Sequence, residues 1–343
     1  METLHFLVIG KNQEILKVLK RIIEKEKDWK AKILTDESKS YDLIKENKVD
    51  IVLLSSGLEE QFEKEIKTFC ENLNSDIKVI DHYGGGSGLF KSEVNSRLLS
   101  MHKVENVLHK SESRGKTDHQ WLLSEKTFSF GDYYDPERMQ FGALRVLNDD
   151  MVEAGKGFGV HPHDNMEIVS IPLEGNLEHE DSIGNKTVIK SGEIQVMSAG
   201  TGVMHSEFSQ NNDGPVKFLQ IWVYPNKRNV VPRYDQITLD KTKSKNKFQQ
   251  IVSPNANDEG VWIHQDAWFH LGNFENNFEI NYQIRKKGNG VYAFIIKGSA
   301  EIEGRKLEER DGFGIWDMVD VNIKATTQGT EILLIEVPDF KLN

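Results

Sequence analysis

Two short patterns, His161-Pro162-His163 and His205-Ser206-Glu207, constrain this chain more than any other feature. Each sets two metal-binding side chains at i and i+2. In a β-strand, residues two apart project from the same face. Two such strands facing one barrel interior would bring three imidazoles and one carboxylate together. That set leaves coordination positions open, which suits a redox-active divalent metal better than a closed structural zinc site. The pattern predicts a β-barrel that does chemistry at a metal, with His161, His163, His205 and Glu207 as candidate ligands.

Other properties bound the class. At 343 residues the chain exceeds one ordinary core, so two or three domains are expected. The hydrophobic share of 38% is enough for packed cores rather than disorder. A net charge of −11 argues against a general nucleic-acid surface, which needs phosphate-neutralising Lys and Arg. Cys70 is the only cysteine, so no intrachain disulfide forms, and the composition fits a reducing compartment. It lies in a helix-like stretch and reads as a small apolar residue. The apolar run at 4–9 lacks a basic flank, so no signal peptide is expected. Nothing approaches the roughly 20 apolar residues of a membrane span. The expectation is a soluble cytoplasmic protein with no direct nucleic-acid or membrane partner.

The first hundred residues alternate strand and helix patterns. Short apolar runs at 4–9, 31–34, 49–55 and 77–81 read as strands, and 13–27, 37–47 and 59–73 read as helices. Such alternation implies a parallel sheet covered by helices. A glycine-rich turn at 83–88 precedes a last helical stretch to about 100. From about Met101 helical periodicity fades and short β runs appear, at 167–173, 186–190, 194–197 and 217–223. Residues 225–236 hold two prolines and several charges and read as a linker. A second all-β region follows, so a duplicated barrel is expected.

The longer context carries a resemblance. Gly155, His161, His163, Glu167 and Gly175, then Gly192, Gly200 and His205, follow the two motifs of cupin barrels. Phe128-Ser129-Phe130-Gly131-Asp132-Tyr133-Tyr134-Asp135-Pro136, His161-Pro162-His163-Asp164-Asn165-Met166-Glu167, and Met197-Ser198-Ala199-Gly200-Thr201-Gly202-Val203-Met204-His205-Ser206-Glu207 resemble the pirin family in order and separation. The resemblance implies a bicupin: one barrel over 101–230 with a metal, and a second over 231–343. It implies His161, His163, His205 and Glu207 as ligands, with iron(II) foremost and zinc, manganese, nickel, cobalt or copper as alternatives. Glu167 is assigned instead to a supporting or packing role.

Pirin relatives are associated with quercetin 2,3-dioxygenase activity. The implied partners are a small aromatic substrate and dioxygen, with Glu207 as the catalytic base. The competing reading is a non-catalytic iron-binding redox sensor or regulatory protein that binds a partner protein. A third is isomerase- or hydrolase-like use of the same site with zinc or manganese. Phe141, Phe158, Phe208 and Phe218 are candidate pocket walls. In the second β region His264 and His270 lack the paired spacing, so that barrel is expected to be metal-free.

Residues 1–100 resemble, more weakly, a flavodoxin-like response-regulator receiver. The phosphoacceptor aspartate would fall at Ser55, and the acidic pair near Gly10 and Lys11. Without those carboxylates Mg²⁺ binding has no chemical basis. The expectation is a degenerate unit used for packing, dimer contact or partner binding.

Overall fold

In the computed structural model, residues 3–74, 77–84, 94, 106–211 and 214–340 are described. The N-terminal part builds β1 (Leu4–Ile9), α1 (Gln13–Ile23), β2 (Trp29–Leu34), α2 (Ser40–Glu46), β3 (Ile51–Leu54), α3 (Glu60–Leu73) and β4 (Lys78–Asp81). The four strands are parallel, in the order β2-β1-β3-β4. Their apolar runs are buried because helices cover both faces. Ile15, Leu16, Leu19 and Ile23 of α1 pack on one face; Ile66 and Cys70 of α3 pack on the other. Burial pushes the Cys70 thiol up to about 11, so it acts as an apolar filler.

Several boundaries differ from expectation. The first helix stops at Ile23, capped at its start by Asn12, whose side chain accepts from the backbone of Glu14 and Ile15. The segment 37–47 divides into a single 3-10 turn, Glu37–Lys39, and α2. Of the glycine-rich turn only Tyr83 and Gly84 are described, and the helical stretch beyond it, apart from Val94, lies outside the described residues.

Among the described residues the regular structure that follows is β, in two similar pairs of sheets, apart from the 3-10 turns Ser111–Ser113 and Lys241–Lys243. In the first pair, a seven-stranded sheet runs Arg233–Thr238, Glu193–Ser198, Glu167–Glu174, Val216–Val223, Leu144–Val152, Leu122–Lys126 and Gly115–Asp118. A four-stranded sheet of Lys186–Lys190, Asn176–Asp181, Val203–Ser209 and Gly157–His163 packs on it. Leu122, Val152, Leu177, Ile189, Val216 and Phe218 close the bottom between them.

The second pair repeats this plan. Its larger sheet runs Val261–Trp262, Phe248–Ser253, Trp268–Phe274, Thr330–Val337, Gly290–Lys297, Gly312–Ile315 and Asn106–His109. The smaller runs Glu279–Gln283, Asp320–Ala325, Ala300–Ile302 and Arg305–Leu307. The two large sheets share one apolar layer, with Val169, Leu219 and Ile221 against Ile251, Phe269, Tyr292 and Leu333.

The segment 225–236, expected to be a linker, enters a strand. Arg233–Thr238 pairs antiparallel with Glu193–Ser198. Its polar side chains hid it: Tyr234 meets Thr187 at 2.6 Å, and the Gln236 amide donates to the Val188 carbonyl at 3.0 Å. A hydrogen-bonded polar edge strand carries no hydrophobic alternation. Among the described residues, no helix is long and apolar enough to cross a membrane.

Candidate metal centre

The predicted histidines lie on neighbouring strands. Gly157–His163 pairs antiparallel with Val203–Ser209, setting His161 opposite His205 and His163 opposite Val203. The pleat turns His161, His163 and His205 to the same interior. Their ligand nitrogens all lie within 4.8 Å of one another, and His161 Nε2 stands 3.0 Å from His205 Nε2.

What holds each ring decides which nitrogen is free. His161 Nδ1 lies 2.8 Å from the Gly159 carbonyl, and His163 Nδ1 lies 3.1 Å from the Gly84 carbonyl. A carbonyl only accepts, so both Nδ1 atoms carry protons and both Nε2 atoms are bare. For His205 the argument runs through a chain. Asp181 Oδ2 sits 3.0 Å from His179 Nε2, and His179 Nδ1 sits 3.4 Å from His205 Nδ1. His179 Nε2–H donates to the carboxylate, so His179 Nδ1 is bare and accepts from His205 Nδ1–H. That leaves His205 Nε2 bare as well.

Three lone pairs therefore face one point with no proton among them, and His163 Nε2 is buried without a hydrogen-bond partner. Such an arrangement is repulsive alone and fits a cation. Protonation does not relieve it. Burial first, then the neighbouring imidazoles, push His163 and His205 well below the usual histidine range; burial also lowers His161. Three neutral imidazoles suit a divalent first-row metal.

Glu207 does not join that point. It forms a neighbouring cluster with His179 and His205. Its Oε2 accepts from the Gln220 amide at 2.8 Å and its Oε1 from the Ser170 hydroxyl at 3.3 Å. Burial pushes this carboxyl up to about 7, against those two hydrogen bonds, which lower it. Glu167 points elsewhere: it accepts from the Ser198 hydroxyl at 2.7 Å and stands in neither cluster.

The candidate wall phenylalanines are dispersed. Phe141 stacks on Trp316 between the barrels, Phe218 and Phe158 belong to the barrel floor, and Phe208 is exposed. The aromatic neighbours of the histidines are Trp222, with its ring 5.0 Å from His163, and Tyr234, 4.9 Å from His179. Sequence reasoning missed both, and missed His179 and Asp181. Their signal was available: His179-x-Asp181 repeats the i, i+2 spacing. In the second barrel His270 is buried, 5.0 Å from the Tyr282 ring, and His264 lies against Trp262.

Known proteins are similar to this chain along both barrels. A family model described as Pirin matches residues 107–223, and one described as the quercetinase C-terminal cupin domain matches 250–337. Quercetin 2,3-dioxygenase of Escherichia coli K12 is 42% identical over 231 residues, 67% of this chain and 98% of that protein. The crystal structure of YhhW from Escherichia coli superposes with a TM-score of 0.66 at 40% identity, over 69% of this chain and all of that one. Bacterial pirin YhhW in complex with nickel(II) gives a TM-score of 0.64 at 40% identity, over 68% of this chain and 99% of that one. With a relative this similar matched over nearly its whole length, the chain belongs to the pirin family of proteins with two cupin domains.

Proposed function

We propose that this protein is a metal-dependent dioxygenase that opens the ring of quercetin or a related flavonol or enolisable phenol. The observation that carries the reading is the convergence of three bare imidazole nitrogens, with His161 Nε2 and His205 Nε2 3.0 Å apart. The names of the similar Escherichia coli proteins, one a quercetin 2,3-dioxygenase and one a nickel(II) complex, support the metal and the chemistry. His161, His163 and His205 would hold the ion, with iron(II) as the resident metal; Glu207, held in the neighbouring cluster with His179 and His205, would turn to the ion as fourth ligand and act as base. In this reading 1–100 is a receiver-like unit without a phosphoacceptor. Residues 101–230 form the metal-bearing cupin and 231–343 the second. Each large sheet takes one strand across that division.

When bound, the metal supplies Lewis acidity to a coordinated substrate oxygen. The chain's own residues do the rest. Glu207 takes the proton from the flavonol 3-hydroxyl, and general-base catalysis of this kind contributes about 10²–10⁴-fold. Gln220 and Ser170 each donate to one Glu207 oxygen and so orient it. The Trp222 ring beside His163 helps to keep water from the reacting ring carbons. Dioxygen then enters the substrate, and carbon monoxide leaves as the ring opens.

The test is dioxygen uptake by iron(II)-loaded protein with quercetin, beside Glu207→Gln. Uptake that matches quercetin loss and disappears in the variant is expected. Full iron loading without uptake would rule out this flavonol and favour the redox-sensing role. That second reading draws on one observation, the contact between the N-terminal unit and His163.

A further inference from the structure

The three ring partners differ in origin. Gly159 lies on the same strand as His161, and His179 belongs to the same barrel as His205. Gly84, which accepts from His163, belongs to the N-terminal unit, just past β4 and outside the matched family segment. It reaches His163 through a small antiparallel bridge. Gly84 N donates to the Asp164 carbonyl at 2.7 Å, and Asp164 N donates back to Gly84 at 3.1 Å.

That bridge is held by a clamp. The partly buried Arg228 guanidinium reaches from the barrel to Glu63 at 2.9 Å, Asp81 at 3.2 Å and the Leu54 carbonyl at 2.9 Å, and lies over the Tyr83 ring. Asn229 accepts from Gly57 N at 2.7 Å and donates to the Leu58 carbonyl at 2.9 Å. Ser55 donates to Asp164 Oδ2 at 3.1 Å. These groups fill the carboxyl ends of β3 and β4, where parallel α/β sheets ordinarily take their ligands. The chain's own barrel occupies that edge. Only glycine fits the bridge: a Cβ at Gly84 would stand 1.8 Å from Asp164 Oδ1 and 2.7 Å from Asp164 N.

We propose that the N-terminal unit is a working part of the metal centre. The Gly84 carbonyl is a positioning group that fixes the tautomer and tilt of His163, and the Arg228 clamp keeps it there. How firmly this unit docks therefore sets metal affinity. The inference rests on the metal reading above.

The test uses full-length protein and cobalt(II). Affinity is measured by chelator competition, coordination by the visible absorption of the bound cobalt, and folding by thermal melting. Gly84→Ala is expected to weaken cobalt binding about 10-fold or more and to change the absorption bands. Arg228→Gln is expected to act in the same direction, and Arg228→Lys to recover part of the loss. Wild-type affinity and spectrum in Gly84→Ala would overturn the proposal. Should that variant fail to fold, Arg228→Gln decides in its place, and unchanged binding there overturns it equally. Wild-type protein that binds no cobalt would bring down the metal reading and this inference together. Wild-type binding with unaffected variants would remove the inference alone.

Discussion

The two barrels share one plan, a seven-stranded sheet packed on a four-stranded one, yet their interiors are opposite in kind. Between its sheets the second barrel is filled by Phe274, Val291, Ile295, Ile302, Val321, Ile323 and Leu334. Its buried carboxylate, Glu336, is saturated by the Tyr282 hydroxyl, the Arg285 and Lys286 backbone amides and the Asn289 side chain, all at 2.8–3.0 Å. In the first barrel His163 Nε2 has no partner and two imidazole lone pairs face each other. His270 Nδ1 of the second barrel also lacks a partner, but no cluster of metal-binding groups surrounds it among the described residues. A saturated buried group is structural, whereas a convergent set of unsaturated ones has the chemistry of a binding site.

The largest expected effect tests that contrast at the metal. His161→Ala and His205→Ala should each reduce bound nickel or cobalt from full stoichiometry to near zero while the far-ultraviolet circular dichroism stays unchanged. Metal content that stays at the wild-type level in both would erase the distinction between the barrels.

Glu336→Ala should do the reverse. It strands a hydroxyl, two backbone N–H groups and an amide, costing about 3 kcal/mol or more in denaturant unfolding. Metal content in the protein that remains folded should hold. Metal loss without loss of stability would make the second barrel functional.

A smaller effect concerns acid. Burial first, then the Arg138 charge, pushes His109 down to about 4. An unfolded histidine takes its proton near 6.5. Between those values the unfolded chain binds more protons, so stability is full above about 6.5 and falls as pH drops towards 4, by roughly 3 kcal/mol. His109→Gln, which can still meet the Tyr292 hydroxyl, should flatten this slope in unfolding measured at several pH values. An unchanged slope would show that other groups govern it. The smallest effect is expected on the outer face of the second barrel. Lys324 and Glu279 pair at 2.7 Å on the surface, and Lys324→Ala should leave the melting temperature unchanged. A clear shift would mean this face packs against something.

Much of the site was readable because a strand converts spacing directly into facing. His161, His163 and His205 needed only the period of two and a pairing of their strands. His179-x-Asp181 obeys the same rule but is flanked by Glu178 and Glu180, which disguise it as a solvated strand. Glu207 shows the limit of the rule. Its position on the strand was legible, but its partners, Gln220 and Ser170, come from the facing sheet, and the carboxylate groups with His179 and His205 rather than with all three nitrogens.

Sequence alone determined the two-cupin family, the alternating α/β start, the absence of a disulfide, and which side chains share a barrel interior. The last three follow from local periodicity and composition, which every short segment carries within itself; the family rests on the resemblance of its ordered motifs. Only the tertiary structure decided the exchange of edge strands between the barrels, the saturation of Glu336, the chain from Asp181 through His179 to His205, and the bond from Gly84 to His163. Each of those is a contact between segments far apart in the chain. Three of the four draw on backbone groups, which no residue type announces.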